Sequence, residues 1–178
     1  MKIITISGHA QNGKDTVANI IRKNLIERQY DVLVTHYADL LKYICKTFFD
    51  WDGNKDEHGR HILQYVGTDI IRKKDPDFWV DFISSVLKFF DNYWDWVIIP
   101  DTRFPNEIDK LKSNGFDVTH IRVERANYEN SLTHKQQTHL SETALDGITP
   151  DYYINNDGSL EDLESLISDW IEEILYEG

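Results

Sequence analysis

The nine residues Gly8–Thr16 read GHAQNGKDT and stand directly behind the apolar run Ile3-Ile4-Thr5-Ile6. Two glycines separated by four residues, the second followed at once by Lys14, let successive backbone N–H groups turn inward around an anion. A helix opening near Gly13 adds its unpaired N–H groups and the positive end of its dipole. Lys14 then reaches the same anion as a point charge. The pattern is that of a phosphate-cradling loop between a strand and a helix. Gly8, Gln11, Asn12, Gly13, Lys14, Asp15 and Thr16 are its candidate phosphate ligands. Asp15 occupies the position where a magnesium-binding Ser or Thr is usual, and Thr16 follows it.

Asp101 closes a second apolar strand, Trp-Val-Ile-Ile-Pro, at the point where such proteins place an acid that supports magnesium. Asp15 and Asp101 are therefore the candidate oxygen donors to Mg²⁺, which takes few carboxylates and keeps several waters. The plainer reading of Asp101 is a turn or helix-capping residue. Arg103, two residues on, carries a planar guanidinium suited to bidentate contact with phosphate oxygens; a salt bridge is the alternative. A further polar set, Arg60, Gln64, Gly67, Thr68 and Asp69, lies beside an apolar helical face, with Trp79 after it. Gly67 is read either as a point of close ligand approach or as a helix-packing residue. Trp79 is a core ring or a wall against a base. The polar, aperiodic stretch Glu124–His139 holds Arg125, His134 and Lys135, and is read as a solvated loop or as a closing lid with Arg125 as its cation. Of the seven histidines, His58 and His61 lie near Glu57 without a third zinc ligand, and no Ser-His-Asp arrangement emerges.

The elements that must position these groups follow from periodicity. Strands are expected at Lys2–Ser7, Asp31–Tyr37, Trp96–Pro100, Asp117–Val123 and Tyr152–Ile154. Helices are expected at Asp15–Arg28, Asp39–Phe49, His61–Ile71, from Asp75-Pro76 to Phe90, Asn106–Asn114, Ser141–Leu145 and Ser159–Glu177, the last opening on a Ser159–Asp162 capping box. Asp50–Gly59 reads as a loop. Strands buried on both faces and alternating with helices imply an α/β fold, a parallel sheet flanked by helices. Right-handed crossovers would then gather Gly8–Thr16, Tyr37–Lys42 and Asp101–Arg103 at one sheet edge.

Composition bounds the rest. The 178 residues are expected to form a single domain with a substantial core, being 40% hydrophobic and 12% aromatic. One cysteine, Cys45, excludes an internal disulfide. The chain enters a strand at once and has no apolar run of membrane-spanning length, so a cytoplasmic protein is expected. The net charge of −12 argues against a general nucleic-acid or anionic-membrane surface.

The segments SGHAQNGKDT (Ser7–Thr16), LQYVGTD (Leu63–Asp69), IPDTR (Ile99–Arg103) and NDGSLE (Asn156–Glu161) together resemble the bacteriophage-type deoxynucleoside monophosphate kinases, over nearly the whole chain. The resemblance implies a P-loop NTPase-type five-stranded parallel sheet, like that of nucleoside monophosphate kinases. It also implies ATP and Mg²⁺ as cofactors and transfer of the γ-phosphate to a deoxynucleoside monophosphate. By position it places Gly13 to Thr16 on the ATP phosphates and Leu41, Lys42, Gly67, Thr68 and Trp79 around the acceptor. The acceptor region would span about residues 38–90 and the lid about 124–140. Lys42 and Arg103 would grip the acceptor phosphate, with Gln64 and Trp79 nearer base and sugar, and either Arg60 or His61 would add a contact. Lys14, Arg103 and Arg125 would compensate the transferring charge. The expected partners are small nucleotides, without nucleic acid or membrane, and a homodimer is left open. A kinase for another small acceptor of the dephospho-coenzyme A kind, and a nucleotide-binding module without transfer chemistry, are the alternative readings.

Overall fold

The computed structural model describes residues 1–126, 128 and 131–176. Five parallel strands form one sheet in the order β2-β3-β1-β4-β5: β1 (Lys2–Ser7), β2 (Val32–Val34), β3 (Trp96–Ile99), β4 (Asp117–Glu124) and β5 (Tyr152–Asn155). The central strand β1 pairs Ile4 with Ile98 of β3 and Ile6 with Ile121 of β4. Strand order reverses around β1, so the crevice at its carboxyl end is a natural ligand site.

Alternation along the strands builds two cores. Ile4, Ile6, Ile98, Ile121 and Val123 face α1 (Lys14–Glu27) and the C-terminal helix α8 (Leu160–Tyr176). Ile3, Val97, Ile99 and Val118 face α4 (Phe78–Phe89) and α5 (Pro105–Ser113) on the other side. The start of α8 has the expected reciprocal cap: Ser159 Oγ accepts from the Asp162 N–H, and the Asp162 carboxylate accepts from Ser159 N–H. The expected Ser159–Glu177 helix is described to Tyr176; Glu177 lies outside the described residues.

Three departures from expectation have physical causes. Strand β2 covers three residues instead of running to Tyr37, because the Tyr37 and Ala38 N–H groups donate to the Asp101 carboxylate at 3.0 and 2.8 Å. That contact opens α2 (Tyr37–Phe48) two residues earlier than the pattern indicated. Secondly, α3 (Glu57–Gln64) begins inside the expected loop, capped by Asp56 through Gly59 N–H at 2.8 Å. It runs into a π-helix, Tyr65–Arg72, where an α-helix was expected. Thirdly, α4 starts after Asp77 rather than at Asp75-Pro76, and the Asp77 carboxylate serves Asn106 and Lys110 of α5 instead of capping its own helix.

The short helix expected at Ser141–Leu145 is present as α7 (Leu140–Thr143), and the stretch expected to be an aperiodic lid, Glu124–His139, contains one short helix, α6 (His134–Gln137). Of that stretch, Asn127, Glu129 and Asn130 lie outside the described residues. Gln11 of the phosphate loop exchanges two hydrogen bonds with Ser131, and Gln136 donates to the Glu57 carbonyl. The segment therefore bridges β1's loop and α3 across the sheet edge.

Candidate active site

The Gly8–Lys14 loop is built by close approach. Gly8 sits at φ +144°, and a Cβ there would lie 2.3 Å from the Val123 carbonyl oxygen. Gly13 sits at φ +94°, with its Cβ position 2.3 Å from Asn156 Nδ2. Only glycine meets both demands, of dihedral and of space. Asn156 also donates to the Asn12 carbonyl at 2.9 Å, and Asn12 Nδ2 to Val123 O at 3.3 Å. The NDGS segment thus holds the loop's shape. Lys14 Nζ donates to the Gly8 and His9 carbonyls, both at 2.8 Å. Burial, then the Arg103 charge, pushes the Lys14 pKa down to about 8. This ammonium is poorly solvated, so an arriving polyanion is strongly favoured.

Beside the loop lies a cleft of about 180 Å³. All seven residues expected around an acceptor line it: Leu41, Lys42, Arg60, Gln64, Gly67, Thr68 and Trp79. Asp101 and Arg103 line it too. His61 does not; it stacks on Tyr65 at 6.1 Å, so of the two neighbours only Arg60 lines the cleft. Gly67 packs closely on α2, where a Cβ would meet Leu41 Cδ2 at 2.7 Å, and it also lines the cleft. Its carbonyl accepts from Trp79 Nε1 at 3.2 Å, so Trp79, 4% exposed, is both core ring and cleft wall. The π-helix presents that carbonyl to the indole.

Several groups escaped sequence reasoning. Glu142 of α7, its side chain 6% exposed, accepts from Arg103 Nη1 and from the Ala10 N–H of the phosphate loop. Arg103 Nη1 also donates to the Ser141 carbonyl at 2.9 Å. Glu107, buried, accepts from Arg72 Nη2 at 2.5 Å and from the Arg103 and Phe104 N–H groups. Burial pushes its carboxyl up, with the Arg72 charge opposing. The Arg72 guanidinium lies 3.8 Å from the Phe104 ring centre. Lys55, from the loop before α3, also lines the cleft. None of Glu107, Glu142 and Lys55 stood out in the sequence pattern.

The expected magnesium donors have other partners. Asp101 spends both carboxylate oxygens on the start of α2, and burial pushes its carboxyl up against those N–H contacts. Asp15 has a side chain 84% exposed, and the His36 imidazole 3.7 Å away holds its carboxyl below the usual range. Among the described residues no group of three or more His, Cys, Asp or Glu side chains could hold an ion. Mg²⁺ bound largely by phosphates and waters needs only one or two carboxylates, so the donor set is compatible with it. Arg125 lies apart from Arg103, in a separate groove with His9, Asn12, Arg122 and Asn155, its guanidinium 4.5 Å from the Tyr128 ring centre.

Among the described residues no helix is long and apolar enough to cross a membrane. Solved structures with the same fold include the APS kinase of Mycobacterium tuberculosis in complex with AMPPNP and APS. It has TM-score 0.55 and 14% identity, with 96% of this chain and 97% of that one covered. Phage proteins are similar in sequence. The deoxynucleotide monophosphate kinase of Enterobacteria phage T4 is 35% identical over 115 residues, and that of Escherichia phage RB69 is 30% identical over 110. These matches take in 64% and 61% of this chain but 45% and 42% of the phage proteins, so the chain spans less than half the length of those relatives. The family model described as deoxynucleotide monophosphate kinase matches residues 52–167, from the loop that carries Lys55 to the middle of α8. The chain belongs to the deoxynucleotide monophosphate kinase family.

Proposed function

We propose that the protein transfers the γ-phosphoryl group of ATP to the phosphate of a deoxynucleoside monophosphate. The observation that carries this reading is the junction at Arg103, where the acceptor-type cleft meets the phosphate loop: Arg103 lines the cleft, and Glu142 joins it to Ala10 of the loop. An acceptor held in the cleft would have its phosphate at the edge where ATP phosphates enter.

An acceptor phosphate monoester has its second pKa near ~6 and is already largely a dianion at neutral pH. One of its oxygens attacks the γ-phosphorus while the bond to the β–γ bridging oxygen breaks, and ADP departs with that electron pair. No general base is required. Two polyanions must instead be aligned and their charge compensated. Lys14 would bind the donor phosphates and Arg103 the transferring group. Asp15 and Asp101 would support Mg²⁺, which supplies charge neutralisation when bound. Arg125, in its separate groove beside the loop, would have to move toward Arg103 to compensate the transferring charge. Trp79, Leu41, Gln64 and Thr68 would form the wall and polar edge of the acceptor's nucleoside site. A preference for deoxyribose rests on family membership.

The test is direct. The protein is incubated with Mg-ATP and a panel of deoxy- and ribonucleoside monophosphates, with dephospho-coenzyme A alongside, and ADP is followed. ADP release that depends on a deoxynucleoside monophosphate is expected. Nucleotide binding without acceptor-dependent ADP, or turnover with another acceptor alone, would overturn the reading.

A further inference from the structure

Five basic side chains line the cleft: Lys42, Lys55, Arg60, Arg72 and Arg103. Three are already committed to carboxylates. Lys42 donates to Asp39 at 2.8 Å, Arg72 to Glu107 at 2.5 Å, and Arg103 to buried Glu142. Lys55 and Arg60 have no carboxylate partner among the described residues. They stand either side of the Asp56 cap at the mouth of α3. A phosphate monoester dianion carries about two negative charges, and two uncompensated cations match it.

The loop that carries Lys55 is fixed at both ends. Trp51 is buried, and its Nε1 donates to the Asn54 carbonyl at 2.9 Å. The Asn54 N–H donates to Asp52 Oδ1 at 2.8 Å. Gly59 packs so tightly on this turn that a Cβ would lie 1.9 Å from the Asn54 oxygen. On the other side Asp56 is held as the α3 cap. Lys55 is thus displayed from a preformed turn while its side chain stays exposed. Its side chain lines the acceptor cavity. Lysine on a fixed backbone loses less freedom on binding than one on a mobile loop.

We infer that Lys55, paired with Arg60, is the principal cation for the acceptor's phosphate, with Lys42 and Arg103 held by their carboxylates until donor phosphates arrive. This rests on the kinase reading above and assigns the acceptor-phosphate site to a turn that the sequence presented as a plain loop.

The experiment compares wild type with Lys55→Ala, Lys55→Gln and Lys55→Arg, melting curves first establishing that each folds. Lys55→Ala and Lys55→Gln should raise KM for every deoxynucleoside monophosphate by about tenfold or more, as loss of a charge-assisted contact does. The KM for ATP should stay within about twofold, and Lys55→Arg should recover most of the loss. An unchanged acceptor KM in an active Lys55→Ala protein overturns the inference. So does an equal rise in the KM for ATP. Calorimetric titration with a deoxynucleoside monophosphate and with its parent deoxynucleoside separates this from failure of the kinase reading. Should wild type turn over no acceptor, the kinase reading fails, yet a preference for the monophosphate that disappears in Lys55→Ala still upholds the assignment. Equal binding of the two ligands by wild type, or binding of neither, overturns it.

Discussion

Glu142 and Arg103 form an ion pair at the junction of the cleft and the phosphate loop, and the Glu142 side chain is only 6% exposed. The other Glu142 oxygen accepts from the Ala10 N–H at 3.2 Å. One carboxylate thus occupies two donors that an incoming phosphate would use. The pair joins residues 39 positions apart and ties α7 to β1's loop.

Removing the Glu142 charge should therefore have opposed effects. In Glu142→Gln, an anion that competes with and repels ATP phosphates is gone, so ATP should bind more tightly, by about threefold to tenfold. Arg103 loses the partner that orients it, and kcat should fall about tenfold. Calorimetric Kd and steady-state kcat on the same preparation check both. Weaker ATP binding together with lower kcat would mean that Glu142 serves only to hold the fold.

Lys14→Ala should leave the fold intact and lower kcat by about two orders of magnitude or more, the usual cost of losing a preorganised phosphate contact. The ammonium makes two hydrogen bonds, to the Gly8 and His9 carbonyls, and water entering the space the side chain vacates can replace both. Melting temperature and kcat, measured side by side, decide the matter. Near-normal turnover in a folded variant would end the phosphate-loop assignment.

What the sequence made legible follows interaction range. The phosphate loop, its flanking strand and α1, and the α8 capping box all depend on neighbours close in the chain, and each stood out from local pattern. The parallel sheet followed from continuous apolar strands. Of the cleft lining at residues 41–79, Arg60, Gln64, Gly67, Thr68 and Trp79 stood out beside an apolar helical face, Leu41 and Lys42 came from resemblance, and the geometry gathers them. The features that escaped depend on distant partners. Asp101 ends β2 and opens α2 from more than sixty residues away, so no local rule placed that boundary. Arg72 finds Glu107 across 35 positions, and Arg103 finds Glu142 across 39. The π-helix had no signal beyond Gly67, whose role needs Leu41 and Trp79 to be in place.

His120 offers a test by pH. It lies 3% exposed in β4, with Nδ1 3.0 Å from Thr5 Oγ1 and Nε2 3.2 Å from Ser7 Oγ, and burial pushes its pKa down to about 4. The unfolded chain binds a proton at this ring near the ordinary pKa, ~6.5, before the folded one does. Stability should accordingly be full above pH ~6.5 and fall as pH drops toward 4, by on the order of 3 kcal/mol from this residue. His120→Gln, which cannot titrate, should lose less over that window. Urea midpoints at several pH values for both proteins provide the check; parallel pH profiles would remove His120 from the account.

Asp101 and Asp15 differ in a way that separates capping from metal support. Asp101 is buried and accepts from the Tyr37 and Ala38 N–H groups, so its loss leaves the first turn of α2 without two acceptors. Asp15 is exposed, with the His36 imidazole 3.7 Å away. In the absence of nucleotide and metal, Asp101→Ala should cost about 1–3 kcal/mol of folding stability, while Asp15→Ala should cost less than about 0.5 kcal/mol. In the presence of ATP and acceptor, both should raise the magnesium concentration that gives half-maximal rate if both support the ion. Chemical denaturation without ligands isolates the first effect, and magnesium titration of the rate isolates the second. Asp101→Ala that is destabilised yet titrates magnesium like wild type would leave Asp101 as a helix cap alone, with Asp15 and the phosphates holding the ion.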